Sequence, residues 1–486
     1  MHLLEAVEHW AQATPHHPVH ESSGRTLSYA DLYAGAQAVA RHIAQHQLSP
    51  GTPVLVSAHK EAEALIAFVG AGLSGHPYVP LDSGLPESRR TLIQESANSP
   101  LTLDARSVAR VVAEGGAFPR LARPRDQVQY VMFTSGSTGR PKGVPITRGN
   151  LAEFQRWLLA EQRFRQGHER FLDQAVYSFD LSVMSVVPAI LTGGTLVSIT
   201  RDDLADLGRL FRSLASSRIT TWVSTPSFAQ LCLHEPRFGA AMLPGLERFL
   251  FCGETLPAAT VRTLLDRFPG RAVWNTYGPT EATVAATSVE VDRALTDRFE
   301  SLPIGRIGEG CRARVVTSDF KLASPGERGE ILITGPQVSP GYLGAPELTA
   351  RAFLTWEGGW AYRTGDLGHE DSGYLFFDGR NDDQIKLNGF RIELGDIEAN
   401  LASLPGVHAA AVIVNWRAGS PESLTGFVVL DAETSRSGED PGTALKATLG
   451  ARLPSYMVPR RIRVLERLPM TPNGKVDRRV LAELRR

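Results

Sequence analysis

Apolar positions along the chain fall into two alternating rhythms. Leu4, Val7, Trp10 and Ala11 recur at the spacing of one helix face and predict a helix within Met1–Thr14. Arg25–Tyr29 reads as a short strand. Leu32, Ala36, Val39 and Ile43 then mark the buried face of a helix over Tyr29–Gln47, and Pro50-Gly51 marks a turn. Val54-Leu55-Val56 predicts a buried strand, Glu61–Ala71 a helix, and Gly75–Asp82 a strand ending in a turn. Strand and helix in alternation is the pattern of a parallel sheet covered on both faces. Val128–Phe133 is a further apolar run of strand length, and Asn150 is placed to cap the helix that begins there. Trp222–Pro226 and Phe249–Glu254 each read as a strand end entering a loop.

The rhythm changes after Asp378–Glu393, a polar linker running into a hairpin. Ile397–Leu404 and Thr443–Leu453 predict helices, and Ala409–Val414 and Gly426–Leu430 predict strands. The expected fold class is therefore α/β. A large N-terminal domain of parallel-type sheets and helices spans 1–381, and a small α+β domain spans 382–486. A chain of 486 residues has ample core for such a division.

Composition narrows the function classes. A formal net charge of −1 gives no reason to expect nucleic acid or a membrane surface as the main partner. Cys232, Cys252 and Cys311 are far apart and odd in number, which fits neither a disulfide framework nor a zinc site. Glu5 and Glu8 interrupt any signal-peptide core, and no run reaches about twenty apolar residues. A soluble, cytoplasmic protein is expected.

The chemistry begins at Thr134-Ser135-Gly136-Ser137-Thr138-Gly139-Arg140-Pro141-Lys142-Gly143. Glycines let backbone N–H groups approach an anion closely, short hydroxyls add donors, and Arg140 and Lys142 add positive charge. This is the composition of a loop that holds a polyphosphate. It is not a Walker A loop, which needs four residues between its first glycine and a Gly-Lys-Ser/Thr. Asp180, within Tyr177–Val183, sits in an apolar setting, and a buried carboxylate there needs a partner: a helix N-terminus, an arginine, or a ligand's cation. In Asn275-Thr276-Tyr277-Gly278-Pro279-Thr280-Glu281, Gly278-Pro279 forces a turn and Tyr277 offers a flat face to an adenine ring. Thr280 offers a hydroxyl to phosphate, and Glu281 an oxygen ligand suited to Mg²⁺. Asp366, in Tyr362–Gly368, can accept bonds from both ribose hydroxyls, and Arg380 can reach ribose or phosphate. Lys475 leaves a Pro-Asn-Gly turn near the end of the chain.

These strings, in this order, resemble the signature motifs of the adenylate-forming superfamily: acyl-CoA synthetases, luciferases and the adenylation domains of peptide synthetases. The resemblance runs from about Glu21 to Arg479. It implies ATP as cosubstrate with Mg²⁺, and two half-reactions performed by a mobile C-terminal domain. The implied ATP-binding residues are Thr134, Ser135, Gly136, Thr138, Asn275, Thr276, Tyr277, Gly278, Pro279, Thr280, Asp366, Phe377, Asp378, Gly379, Arg380 and Lys475. Lys475 and Glu281 would be catalytic, Glu281 the metal ligand and Asp382 the hinge. In members that activate amino acids, the residue matching Asp180 holds the α-ammonium, and those matching Cys252 and Val284 line the side-chain pocket. Phe179–Met184, Ser224–Phe228, Phe251–Glu254 and Asn275–Val284 are similar to the branch that loads D-alanine onto the phosphopantetheine thiol of a carrier protein. Cys252 and Val284 argue for a short side chain but do not fix its chirality, so L-alanine, glycine or serine stay open. An acyl-CoA ligase and a catalytically inert nucleotide-binding regulator are the remaining alternatives. Intact Thr134, Glu281, Asp366 and Lys475 oppose the second.

Overall fold

The computed structural model describes residues 2–136, 139–306, 312–417, 420–431, 440–471 and 476–484. They separate into two compact units. The first comprises Met1–Ser83, Ala97–Met132 and Gly143–Asn381; the second comprises Gly84–Ser96, Phe133–Lys142 and Asp382–Arg486.

Among the described residues, three sheets build the first unit. Among the described residues, one has the order Thr102–Asp104, Val54–Ala58, Tyr78–Asp82, Val128–Thr134, Lys142–Thr147. Its neighbours run parallel where Val56 pairs with Pro80 and with Leu103, and where Tyr78 pairs with Tyr130. The expected alternation of strand and helix therefore folds as a covered parallel sheet. The second has eight strands, with Arg248–Phe251, Thr221–Ser224, Arg170–Asp173 and Thr195–Ser198 parallel in its middle. Thr287–Glu290 and Arg25–Ser28 run antiparallel at its two edges. The third is antiparallel, built around the long strand Gly359–Asp371 with Gly329–Thr334 on one side and Tyr374–Arg380 on the other. Its alternating, half-polar strands carry too weak an apolar signal to predict from periodicity.

Two expectations need correction. The helix after the glycine loop is Arg148–Gln162, and its cap is Thr147, not Asn150. The Thr147 hydroxyl accepts from the Asn150 N–H, and the Asn150 side chain accepts from the Thr147 N–H, so Asn150 is the reciprocal half of a capping box. Its amide also donates to the carbonyls of Pro336 and Val338. The stretch before that cap is not all loop either, because Lys142–Thr147 forms a strand. Pro145 and Gly143 mask it in the sequence.

In the second unit, Gln384–Leu387 and Phe390–Glu393 form a hairpin. Its two-residue turn is Asn388-Gly389, both at positive φ (51° and 84°), the combination a type I′ turn demands. A three-stranded sheet of Val407–Arg417, Ser420–Leu430 and Arg461–Val464 follows, with helices Leu394–Ala402 and Pro441–Gly450. Among the described residues no helix is long and apolar enough to cross a membrane.

Candidate active site

Strands of the first unit, and the turn after one of them, carry most of the residues singled out above. Tyr277 closes the strand Ala272–Tyr277, and Asp366 lies within Gly359–Asp371 opposite Arg380. The Tyr277 hydroxyl donates to Asp366 Oδ2 at 2.6 Å, and Arg380 Nη1 donates to Oδ1. Arg380 Nη2 also reaches the Thr364 carbonyl at 3.0 Å, which fixes the guanidinium plane. Burial, with Asp366 beside it, pushes the Tyr277 phenol well above its ordinary value, so it stays a donor. Asp366 thus keeps lone pairs for further hydroxyls. The Asn275 amide is spent on the Pro303 carbonyl at 2.8 Å, and the Thr276 hydroxyl on the Phe251 carbonyl at 2.8 Å, so both brace the strand end. Phe377, Asp378 and Gly379 lie on Tyr374–Arg380; Asp378 pairs with His369 at 2.7 Å.

The chain reverses sharply after Tyr277. A Cβ at Gly278 would stand 2.6 Å from the Ala285 Cα, so only glycine fits. Thr280–Ala282 makes one 3₁₀ turn that turns Glu281 fully inward. Glu281 Oε1 accepts from the Tyr342 hydroxyl at 2.7 Å. Among the described residues no cluster of three or more His, Cys, Asp or Glu could hold a metal. A lone carboxylate fits Mg²⁺ of the kind carried in on a nucleotide's phosphates, which needs one or two protein carboxylates.

Thr283 and Val284 come next, both β-branched and both left-handed, at φ 56° and 72°. Such residues avoid that region, at a cost of about 1–3 kcal/mol each. They are held there by neighbours: Thr283 Oγ1 donates to the Gln337 carbonyl at 2.6 Å, and Ala286 N to the Tyr277 carbonyl at 2.8 Å. Cys252 Sγ lies 3.8 Å from the Val284 carbonyl. The left-handed backbone therefore aims a carbonyl at Cys252 and brings together two residues distant in sequence. Asp180 is buried at the head of the 3₁₀ turn Asp180–Ser182, which leads into the apolar helix Val183–Thr192.

This arrangement was compared with known proteins. The model of the AMP-binding enzyme family matches residues 7–343, and that of the AMP-binding enzyme C-terminal domain matches 396–475. The chain belongs to the AMP-binding enzyme family. It is 41% identical to the D-alanine–D-alanyl carrier protein ligase of Bacillus cytotoxicus and 42% identical to that of Bacillus cereus strain B4264, each over 99% of both chains. Among solved structures it superposes on holo-PA1221, a peptide-synthetase protein with adenylation and PCP domains bound to a vinylsulfonamide inhibitor. There the TM-score is 0.83 at 26% identity, covering 99% of this chain and 84% of that one. The Vibrio cholerae adenylation domain AlmE in complex with glycyl-adenosine-5'-phosphate shares the fold, with a TM-score of 0.82 at 23% identity over 99% of this chain and 96% of that one.

In this AMP-binding enzyme the glycine loop belongs to the second unit. A Cβ at Gly136 would meet the Arg140 carbonyl at 2.1 Å, so the loop closes on itself only with glycine there. Ser135 Oγ donates to the Arg391 carbonyl at 2.9 Å and accepts from the Glu393 N–H at 3.1 Å. Lys142 pairs with Glu393 at 2.6 Å. Thr134 Oγ1 is buried and has no partner among the described residues. Ser137, Thr138 and Lys475 lie outside the described residues. Asp382 begins the last segment of the second unit, and its Oδ1 accepts from the Gln384 N–H at 3.2 Å.

Sequence reading missed several groups that complete this geometry. Tyr342 on Glu281 and Gln337 beneath Thr283 come from a loop with no motif of its own. Glu254 was read only as part of a strand-to-loop stretch. Its carboxylate accepts from the Ser227 N–H at 2.9 Å, at the start of the helix Pro226–Leu233. A Glu three residues after a strand was the available signal. The Tyr130 hydroxyl is buried and, among the described residues, unpartnered. Burial raises it well above the ordinary phenol value, with smaller contributions from Tyr78 and Asp180.

Proposed function

We propose that this enzyme uses ATP to activate D-alanine as D-alanyl-AMP and passes the acyl group to the phosphopantetheine thiol of a carrier protein in the cytoplasm. The observation that carries this reading is the 41–42% identity, over 99% of the chain, to enzymes named for that reaction. The site supports it. Asp180 supplies a buried negative charge for the substrate's ammonium. Cys252 and the Val284 carbonyl close the side-chain end of the pocket. The methyl of alanine gains only about 1 kcal/mol by burial, so exclusion of larger side chains by clash dominates selectivity.

In the first half-reaction the substrate carboxylate attacks the α-phosphorus of ATP and pyrophosphate leaves. Tyr277 flanks the adenine, Asp366 accepts the ribose hydroxyls, and Arg380 holds Asp366 in place. Glu281 would hold Mg²⁺, with the Tyr342 hydroxyl orienting its second oxygen; the ion supplies charge neutralisation on the phosphates. Lys475 would bridge the substrate carboxylate and the α-phosphate, where charge develops. In the second half-reaction 382–486 turns about Asp382, the Gly389 hairpin lines the path of the thiol, and the thiolate displaces AMP.

Amino-acid-dependent ATP–pyrophosphate exchange tests the reading. D-alanine is expected to exceed L-alanine, glycine, serine, proline and D-valine. Preference for L-alanine or glycine would overturn the substrate and leave the activation chemistry standing. Exchange only with a short fatty acid would overturn the role of Asp180.

A further inference from the structure

A buried ionic network in the first unit takes no part in the chemistry above. Lys60 and Asp173 have side chains 1% and 0% exposed. Lys60 Nζ donates to Asp173 Oδ1 at 2.6 Å and to the Ala175 carbonyl at 2.6 Å, and it lies 4.0 Å from the centre of the Tyr177 ring. Asp173 Oδ2 accepts from the Tyr177 hydroxyl at 3.0 Å and from Ser198 at 2.5 Å. Ser185 Oγ donates to the Ser182 carbonyl at 3.0 Å and stands 3.4 Å from Asp173 Oδ1. Burial alone would raise the Asp173 carboxyl; Lys60 and the Ser198 hydroxyl outweigh it and hold the group below its ordinary value.

Such a pair is a poor way to stabilise a core, because desolvation of two charges offsets their attraction. Its geometry points to another use. The ties of Lys60, Tyr177 and Ser185 all land on the segment 173–185: at Asp173, Ala175 and Tyr177 before Asp180, and at Ser182 and Ser185 after it. Asp180 lies between these anchors, three residues from Tyr177, in a turn closed by Phe179 N on Val176 O and Ser182 N on Phe179 O. The ring of Tyr177 is also held independently, edge-on to Phe68 at 5.4 Å.

We propose that Lys60, Asp173 and Tyr177 are positioning residues that fix the Asp180 carboxylate for the substrate's ammonium. They thereby set affinity for the amino acid without touching it. This rests on Asp180 holding the ammonium. Lys60 reaches across from just beyond the strand Val54–Ala58 of another sheet, so a strut from outside the turn adds to the turn's own hydrogen bonds in locating the pocket's charge. A carboxylate held within a narrow range of positions binds a cation without the cost of ordering it.

Tyr177→Phe tests the strut gently, removing one hydroxyl and keeping the ring over Phe68 and Lys60. The expected result is a KM for D-alanine raised about 10-fold, with the KM for ATP within about twofold of the parent and a melting temperature lowered by only a few degrees. In an Asp180→Asn background the same change should add nothing, because the group being positioned is gone. An unchanged KM for D-alanine in Tyr177→Phe, while Asp180→Asn raises it, would overturn the proposal alone. So would a parallel rise in both KM values, or full additivity in the double variant. If Asp180→Asn itself left the KM for D-alanine unchanged, the reading of Asp180 would fail first.

Discussion

Asp173 and Asp366 are both buried carboxylates, each between a cation and a tyrosine, yet they are finished differently. Asp173 is wholly enclosed, and Lys60, Tyr177 and Ser198 bond its oxygens, with Ser185 close by. Asp366 takes one side-chain donor on each oxygen, from Arg380 and Tyr277. About four lone-pair directions serve a carboxylate, so Asp366 keeps roughly half of its accepting capacity. The Arg380 side chain is also 11% exposed, against 1% for Lys60. A saturated, sealed carboxylate is a strut. A half-satisfied one, left with open lone pairs, is built to accept a ligand's hydroxyls.

The largest effect should come from breaking the sealed centre. Lys60→Met leaves an uncompensated buried charge at Asp173 and is expected to lower the unfolding free energy by about 3–5 kcal/mol. Urea denaturation measures it, and a loss below about 1 kcal/mol would mean that the centre is more hydrated than its exposure says. At the substrate end, Asp180→Asn removes the proposed ammonium partner. A loss of about 3 kcal/mol, or roughly 10²-fold in kcat/KM for D-alanine, is expected in the exchange assay. The KM for ATP should stay put.

The half-open centre should answer in the opposite sense. Asp366→Asn keeps the shape but turns one acceptor into a donor facing Arg380 or a ribose hydroxyl. It is expected to cost about 2 kcal/mol, roughly 30-fold, in the KM for ATP, and to leave D-alanine affinity alone. Equal effects on both substrates would erase the contrast between the two ends.

The smallest effect concerns His20, whose Nε2 lies 2.9 Å from Ser198. The Ser198 proton is committed to Asp173, so His20 is the donor of that bond. Burial lowers the His20 pKa from 6.5 to about 4. A depressed pKa gives stability that is complete above the unfolded value and is lost as the pH falls towards the folded one. Moving from about pH 7.5 to about pH 5.5 should therefore cost about 1.4 kcal/mol through this group. Thermal unfolding of His20→Gln should lack that part of the pH dependence. If parent and variant lost stability equally, His20 would not be the group responsible.

The two ends also differ in how far they could be read in advance. Tyr277, Glu281, Asp366 and Arg380 each stand in a short string that carries a glycine or a proline. Asp180 was legible because a carboxylate between Phe179 and Leu181 is anomalous. Lys60, Asp173 and Ser198 gave no such signal. Lys60 stands among His59 and Glu61, Ser198 is a small residue between Val197 and Ile199, and Asp173 closes an apolar run in the way a strand's solvent-exposed finish would. The sequence pointed to Asn150 as the cap where the structure has Thr147, since a capping box offers two candidate caps three residues apart.

By itself the sequence determined the alternation of strand and helix, the parallel sheet, the glycine loop and the reactive carboxylates, because periodicity and turn chemistry are local. Tertiary structure alone decided what those carboxylates face. It brought Lys60 to Asp173 across 113 positions, Asp366 to Tyr277 across 89, and Cys252 to Val284 across 32. It also put two β-branched residues, Thr283 and Val284, into the left-handed region, against their own preference. Burial and pairing are properties of places in space, and a carboxylate's role follows from how many of its lone pairs the rest of the chain has already taken.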